Sequence, residues 1–98
     1  MLYTRPKAEQ DVTPDDIRVR IRAALPDADV NVVDTTGGGD HFDATVISSA
    51  FAGKGPLERH RLVYAALGDV IIGPSAPIHA LALTTDTPEE NQRKGARP

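Results

Sequence analysis

The 98-residue chain is 40% hydrophobic, enough for one small domain whose core needs neither a metal nor a disulfide to fold. It contains no cysteine, which excludes a disulfide scaffold, a thiol nucleophile and a zinc finger. The net charge of −3 combines basic ends with an acidic body, twelve acidic against six basic residues between Thr13 and Glu90, and such a body is a poor match for phosphate backbones.

Residues 1–12 are polar, mixed in charge and without periodicity, and are read as a flexible N-terminal arm. No apolar run approaches transmembrane length and the arm lacks a signal-peptide core, so a soluble, cytoplasmic protein without membrane association is expected. Thr13-Pro14-Asp15-Asp16 is a helix start, with threonine as N-cap, proline at the first helical position and acids in the first turn. Ile17, Ile21, Ala24 and Leu25 follow at helical spacing, Arg18, Arg20 and Arg22 lie off that stripe, and Pro26 ends the helix. Residues 30–33 read as a strand. Residues 35–40 are a loop, because three consecutive glycines cost too much entropy inside a regular element. Residues 42–49, β-branched and aromatic, form a second strand antiparallel to the first.

Residues 53–56 are a turn from which Pro56 opens a second helix. Its buried stripe is Val63, Ala66, Leu67, Val70 and Ile71, and Gly68 divides it into two helical pieces. Gly73-Pro74-Ser75-Ala76-Pro77 breaks the chain before a third strand over residues 78–84. Residues 91–98 have no apolar residue except Ala96 and are read as a disordered basic tail. The order α-β-β-α-α-β predicts an α+β domain over residues 13–90, a three-stranded mixed sheet with helices on one face. The helical crossover between the second and third strands is the usual join between parallel neighbours. Both strands then start at one end of the sheet, which allows His41 and His79 to approach each other.

Each histidine has a bland and a functional reading. His41 is either a solvated loop histidine or a metal ligand presented by an adaptable glycine loop. His79 interrupts an apolar strand and is either half-buried and hydrogen-bonded to backbone or a ligand. His60 sits at the edge of the second helix's stripe and is expected to pack on the sheet, with one nitrogen bonded to backbone. Arg59, Arg61 and Lys54 read as solvated charge that contributes to a partner or nucleic-acid surface. Gly37-Gly38-Gly39 is not a phosphate loop, since no Gly-Lys-Ser/Thr follows. No catalytic constellation is present. Ser48 and Ser49 have no base paired with them in the sequence, and an Asp40–His41 dyad is disfavoured because neighbours on an extended chain point apart. The chain is read as a non-enzyme.

Phe51-Ala52-Gly53-Lys54, Arg59-His60-Arg61, Val63-Tyr64, Ile78-His79-Ala80-Leu81 and Thr85-Asp86-Thr87-Pro88-Glu89-Glu90 resemble the BolA family in order and spacing, over residues 13 to 90. The resemblance implies a class II KH-like fold. It implies a non-catalytic adaptor of iron–sulfur and iron homeostasis, paired with a monothiol glutaredoxin that carries a Cys-Gly-Phe-Ser motif. The shared 2Fe–2S cluster would take thiolates from the glutaredoxin and glutathione, and nitrogen from His79 and His41. The Gly39-Asp40-His41-Phe42 segment matches the family's histidine loop variant. The isolated chain is expected to hold no cluster and to be a monomer or weak homodimer. The alternative is a DNA-binding transcriptional regulator using the KH-like fold. Against it, residues 50 to 80 lack the Gly-x-x-Gly with which KH domains clamp nucleic-acid backbone. A second departure is Asn91, where many relatives place a tryptophan.

Overall fold

The computed structural model describes residues 12–95. Helix α1 (Pro14–Ala24) begins as its sequence dictates: Thr13 Oγ1 accepts from Asp16 N at 3.1 Å and the Asp16 carboxylate accepts from Thr13 N at 2.9 Å, a capping box. Val12 precedes the cap and, with Ile17 one turn later, belongs to the core cluster, the pattern of a hydrophobic staple. This corrects the arm expected over residues 1–12 at its last position, since Val12 is buried; the rest of that arm lies outside the described residues. Ile17, Ile21 and Leu25 face the core, while Ala24 is exposed.

Strand β1 (Asp29–Asp34) pairs antiparallel with β2 (His41–Ile47), with Val32 opposite Ala44. A 3-10 turn (Ser49–Phe51) leads to α2 (Pro56–Leu67), which Pro56 opens as expected. Gly68, at φ +60°, stops α2, and the second helical piece is one 3-10 turn (Gly68–Val70). Strand β3 (Ala80–Asp86) lies parallel to β2 from His41↔Ala80 to Ile47↔Asp86, so the sheet order is β1-β2-β3. This is the α+β, KH-like arrangement that the resemblance implies.

Strand alternation divides the sheet. Val30, Phe42, Ala44 and Val46 are buried against Ile17, Ile21, Val63 and Leu67 of the two helices, with Val32, Leu81 and Leu83 packed on that cluster. On the opposite face Asn31, Val33, Asp43, Ala80, Ala82 and Thr84 are exposed. Arg20 Nη1 donates to the carbonyl of Leu67 at 3.1 Å, fastening α1 to the end of α2.

The expected disordered tail is corrected. Asn91–Gly95 continue a third helix, α3 (Pro88–Gly95), which buries no residue of its own. Polar contacts hold it instead. Thr87 and Glu90 form a second capping box, with Thr87 N to Glu90 Oε1 at 2.9 Å and Glu90 N to Thr87 Oγ1 at 3.1 Å. Lys94 Nζ donates to the Asp86 carboxylate at 2.8 Å. Residues 96–98 lie outside the described ones.

Candidate functional site

The parallel pairing of β2 and β3 places both strand starts at one end of the sheet. A single carbonyl joins them: Asp40 O accepts from His79 N at 2.8 Å and from Ala80 N at 3.2 Å. His79 therefore stands one residue before β3, not within it, and its side chain is 67% exposed. His41 opens β2 and is 44% exposed. The two imidazole centroids lie 6.2 Å apart with the rings at 79°. The approach expected from topology is present.

The loop leading into His41 is held by its own hydrogen bonds. Asp34 lies at its base: Oδ1 accepts from Thr36 N at 3.2 Å and Gly37 N at 2.8 Å, and Oδ2 accepts from Gly39 N at 2.9 Å. Gly37 and Gly39 take φ +78°, a conformation glycine reaches at no steric cost, and so aim their N–H groups inward. Thr36 Oγ1 accepts from Gly38 N and donates to Asp40 Oδ1 at 3.1 Å. The carbonyl of His41 accepts from both the backbone and the hydroxyl of Thr35, at 3.0 and 3.2 Å.

The Asp40–His41 contact disfavoured from the sequence is present. Asp40 precedes the strand instead of lying in it, so the alternation argument against that contact does not apply. Asp40 Oδ1 is 3.0 Å from His41 Nδ1, and Oδ2 is 3.9 Å from His79 Nδ1. The close contact is off the axis of a hydrogen bond, and His41 Nδ1 is buried without a well-directed partner. The His41 ring beside it, and then the Thr36 hydroxyl, hold the Asp40 carboxyl below its ordinary value against partial desolvation.

Imidazole nitrogen suits iron, zinc, copper and nickel. Among the described residues no three His, Cys, Asp or Glu groups converge into a metal site, and the chain has no thiol. Two imidazole nitrogens fill at most two ligand positions, and any others would come from elsewhere.

The other expected site residues separate. Arg59 is corrected: expected on a partner or nucleic-acid surface, it is turned inward and 13% exposed. Its Nε donates to Lys54 O at 2.8 Å, Nη1 to Thr85 O at 3.2 Å, and both terminal nitrogens to the Glu90 carboxylate at 2.7 and 3.1 Å. Its guanidinium lies 5.9 Å from the centre of the buried Phe51 ring. A helix position facing both β3 and α3 makes Arg59 a tie between elements. Arg61 is exposed and Lys54 half-buried. His60 is half-buried, outside the core cluster, and the backbone hydrogen bond expected of it is not formed with a described residue. Ser48 and Ser49 do find a carboxylate: Asp27 accepts from Ser48 Oγ at 2.7 Å, Ser49 Oγ at 2.6 Å and Ser49 N at 2.9 Å. Those bonds, Ser49's first, lower the Asp27 carboxyl to about 2, which makes it a weak base and the cluster a fastening of two turns.

The family model for BolA-like proteins matches residues 10–90. The chain is 38% identical over 89 residues to BolA-like protein 1 of Bos taurus, covering 88% of this chain and 57% of that protein, so it spans little more than half the length of that relative. It is 35% identical to the DNA-binding transcriptional regulator BolA of Escherichia coli strain K12, over 76% of this chain and 74% of that one. A solved BolA homologue from Coxiella burnetii superposes with a TM-score of 0.69 at 41% identity, over 84% of this chain and 99% of that one. Fold, motif order and matched length agree: the chain belongs to the BolA family.

Proposed function

We propose that the protein is a non-catalytic adaptor that completes a 2Fe–2S cluster shared with a Cys-Gly-Phe-Ser monothiol glutaredoxin and glutathione, in cytoplasmic iron handling. The observation that carries the reading is the pair of imidazoles 6.2 Å apart at one end of the sheet in a chain without thiols. The donor set fits such a cluster: both imidazoles stand at the open end of the sheet, His41 44% and His79 67% exposed. His79 and His41 would hold the cluster on this side. Nitrogen in place of thiolate would change the cluster's charge and potential. The chain's own part is to present the two rings and to keep them in register through the Asp40 carbonyl.

The test is to mix the protein anaerobically with such a glutaredoxin, glutathione, iron and sulfide, and to record visible circular dichroism. A spectrum distinct from that of the glutaredoxin alone is expected. His79→Ala abolishes it, His41→Ala weakens or alters it, and His60→Ala leaves it unchanged. A native spectrum equal to that of the glutaredoxin alone, or His79→Ala and His41→Ala complexes equal to the native one, overturns the reading.

The name of the Escherichia coli relative favours a second reading, a DNA-binding regulator. The acidic body counts against it. Binding is expected to be weak and to vanish near physiological salt. Sequence-specific nanomolar binding at about 150 mM salt, in the affinity range of specific regulators, would reverse the ranking.

A further inference from the structure

We infer that Asp34 is the positioning residue for the histidine pair: its carboxylate folds the glycine loop into one shape, and that shape fixes where the His41 ring stands relative to His79. The inference rests on the reading that the two rings ligate together, and names the group that sets their separation in advance. β1 ends at Asp34 and β2 starts at His41, with Asp34 opposite Phe42 as the last pair of the hairpin. A glycine-rich turn specifies register weakly, and a slip of one residue would exchange the faces of His41 and Phe42. Three consecutive glycines also widen the choice of loop conformations, so a defined shape needs bonds of its own.

Side chains supply those bonds. The N–H groups of residues 36 to 39 all end on side-chain oxygens: Thr36 and Gly37 on Asp34 Oδ1 at 3.2 and 2.8 Å, Gly39 on Asp34 Oδ2 at 2.9 Å, and Gly38 on Thr36 Oγ1 at 3.1 Å. Three of these four donors depend on one carboxylate, an acceptor of charge-assisted bonds. The loop is drawn in closely around them, since a Cβ added to Gly38 would lie 3.3 Å from both Asp40 Oδ1 and Thr36 Oγ1. The folded loop then delivers two positions. It starts β2 at His41, and it ends in the Asp40 carbonyl that accepts from His79 N and Ala80 N. Asp34 thus acts on both rings through the main chain.

The experiment is NMR of the nitrogen-15-labelled apo-protein at about pH 8, where an ordinary imidazole is neutral. In the native chain a nuclear Overhauser contact between the His41 and His79 ring protons is expected, with the Gly37 and Gly39 amides protected from hydrogen exchange. In Asp34→Ala the ring contact is lost, both ring signals move, and the two amides exchange on the order of fivefold faster or more. Asp34→Asn keeps one acceptor oxygen, so Gly37 stays protected, Gly39 alone speeds up and the ring contact is weakened. Asp27→Ala removes a comparable carboxylate from the opposite end of the same hairpin. It lowers the thermal midpoint and leaves the ring contact in place, which separates positioning from stability. An Asp34→Ala chain with its ring contact and ring signals unchanged, an Asp34→Asn chain with Gly39 exchange unchanged, or an Asp27→Ala chain that loses the ring contact as well, overturns the inference. Because no cluster is present, this result stands apart from the heterocomplex spectra, which test whether the rings ligate at all.

Discussion

Arg59 illustrates how one side chain can carry more than its charge. It donates to two backbone carbonyls and a carboxylate and lies over Phe51, so removing it strips partners from three elements together. Arg59→Met, which keeps the stem, is expected to lower the thermal midpoint by on the order of 5 °C or more in a domain of this size. Differential scanning calorimetry checks it, with the equally simple Arg61→Met at an exposed position as the control that leaves the midpoint unchanged. The sequence made the two arginines look alike, since both flank His60. Their difference comes from which side of α2 meets α3, and α3 has no apolar periodicity to announce it. The Asp40–His41 contact was disfavoured for a related reason: the alternation rule holds inside a strand, and Asp40 lies one residue outside β2. The two histidines were legible because the crossover implied parallel strands, and parallel strands bring their starts together.

At the scale of elements, α1 and α3 begin with almost the same words, Thr13-Pro14-Asp15-Asp16 and Thr87-Pro88-Glu89-Glu90. Each builds a capping box. Only α1 is followed by apolar residues at helical spacing, so a reading led by hydrophobic periodicity finds the first and misses the second. The start signal alone is informative when tertiary ion pairs replace burial. Those ion pairs give a pH dependence. Arg59 first, then the Thr87 N–H, hold the Glu90 carboxyl down from its ordinary 4.5 to about 2. Asp27, bonded by Ser49 and Ser48, is lowered from 3.8 to about 2. In both cases the unfolded chain binds more protons across this window, so stability rises with pH through it. The contribution is fully present above about pH 4.5 and is lost as the pH falls towards 2. Urea midpoints measured across that range should fall steeply in the native chain. In Glu90→Gln combined with Asp27→Asn the neutral-pH midpoint is lower, and its slope in the same window is flatter. An unchanged slope in the double variant would contradict the assignment.

Considered whole, the molecule has one covered and one open sheet face, and its candidate site lies at the end of the sheet where β2 and β3 both start. Between His41 and His79 the chain travels through β2, two 3-10 turns, α2 and a seven-residue segment (residues 71–77) that is closed at its base by Ile78 N donating to Val70 O at 3.0 Å. The distance between the rings is therefore not measured out along that path. It is set locally, where the Asp40 carbonyl holds the His79 and Ala80 N–H groups. The site is insulated from changes in contour length. Two glycines inserted after the exposed Pro74 lengthen a loop whose ends are already tied, at a cost of a few tenths of a kcal/mol. The expected result is a thermal midpoint within a few degrees of native, together with unaltered ring-nitrogen signals for His41 and His79. Displaced ring signals would show that the crossover acts as the ruler. If they stay in place, chains of this architecture are free to vary the length of that loop while keeping the spacing of the two imidazoles.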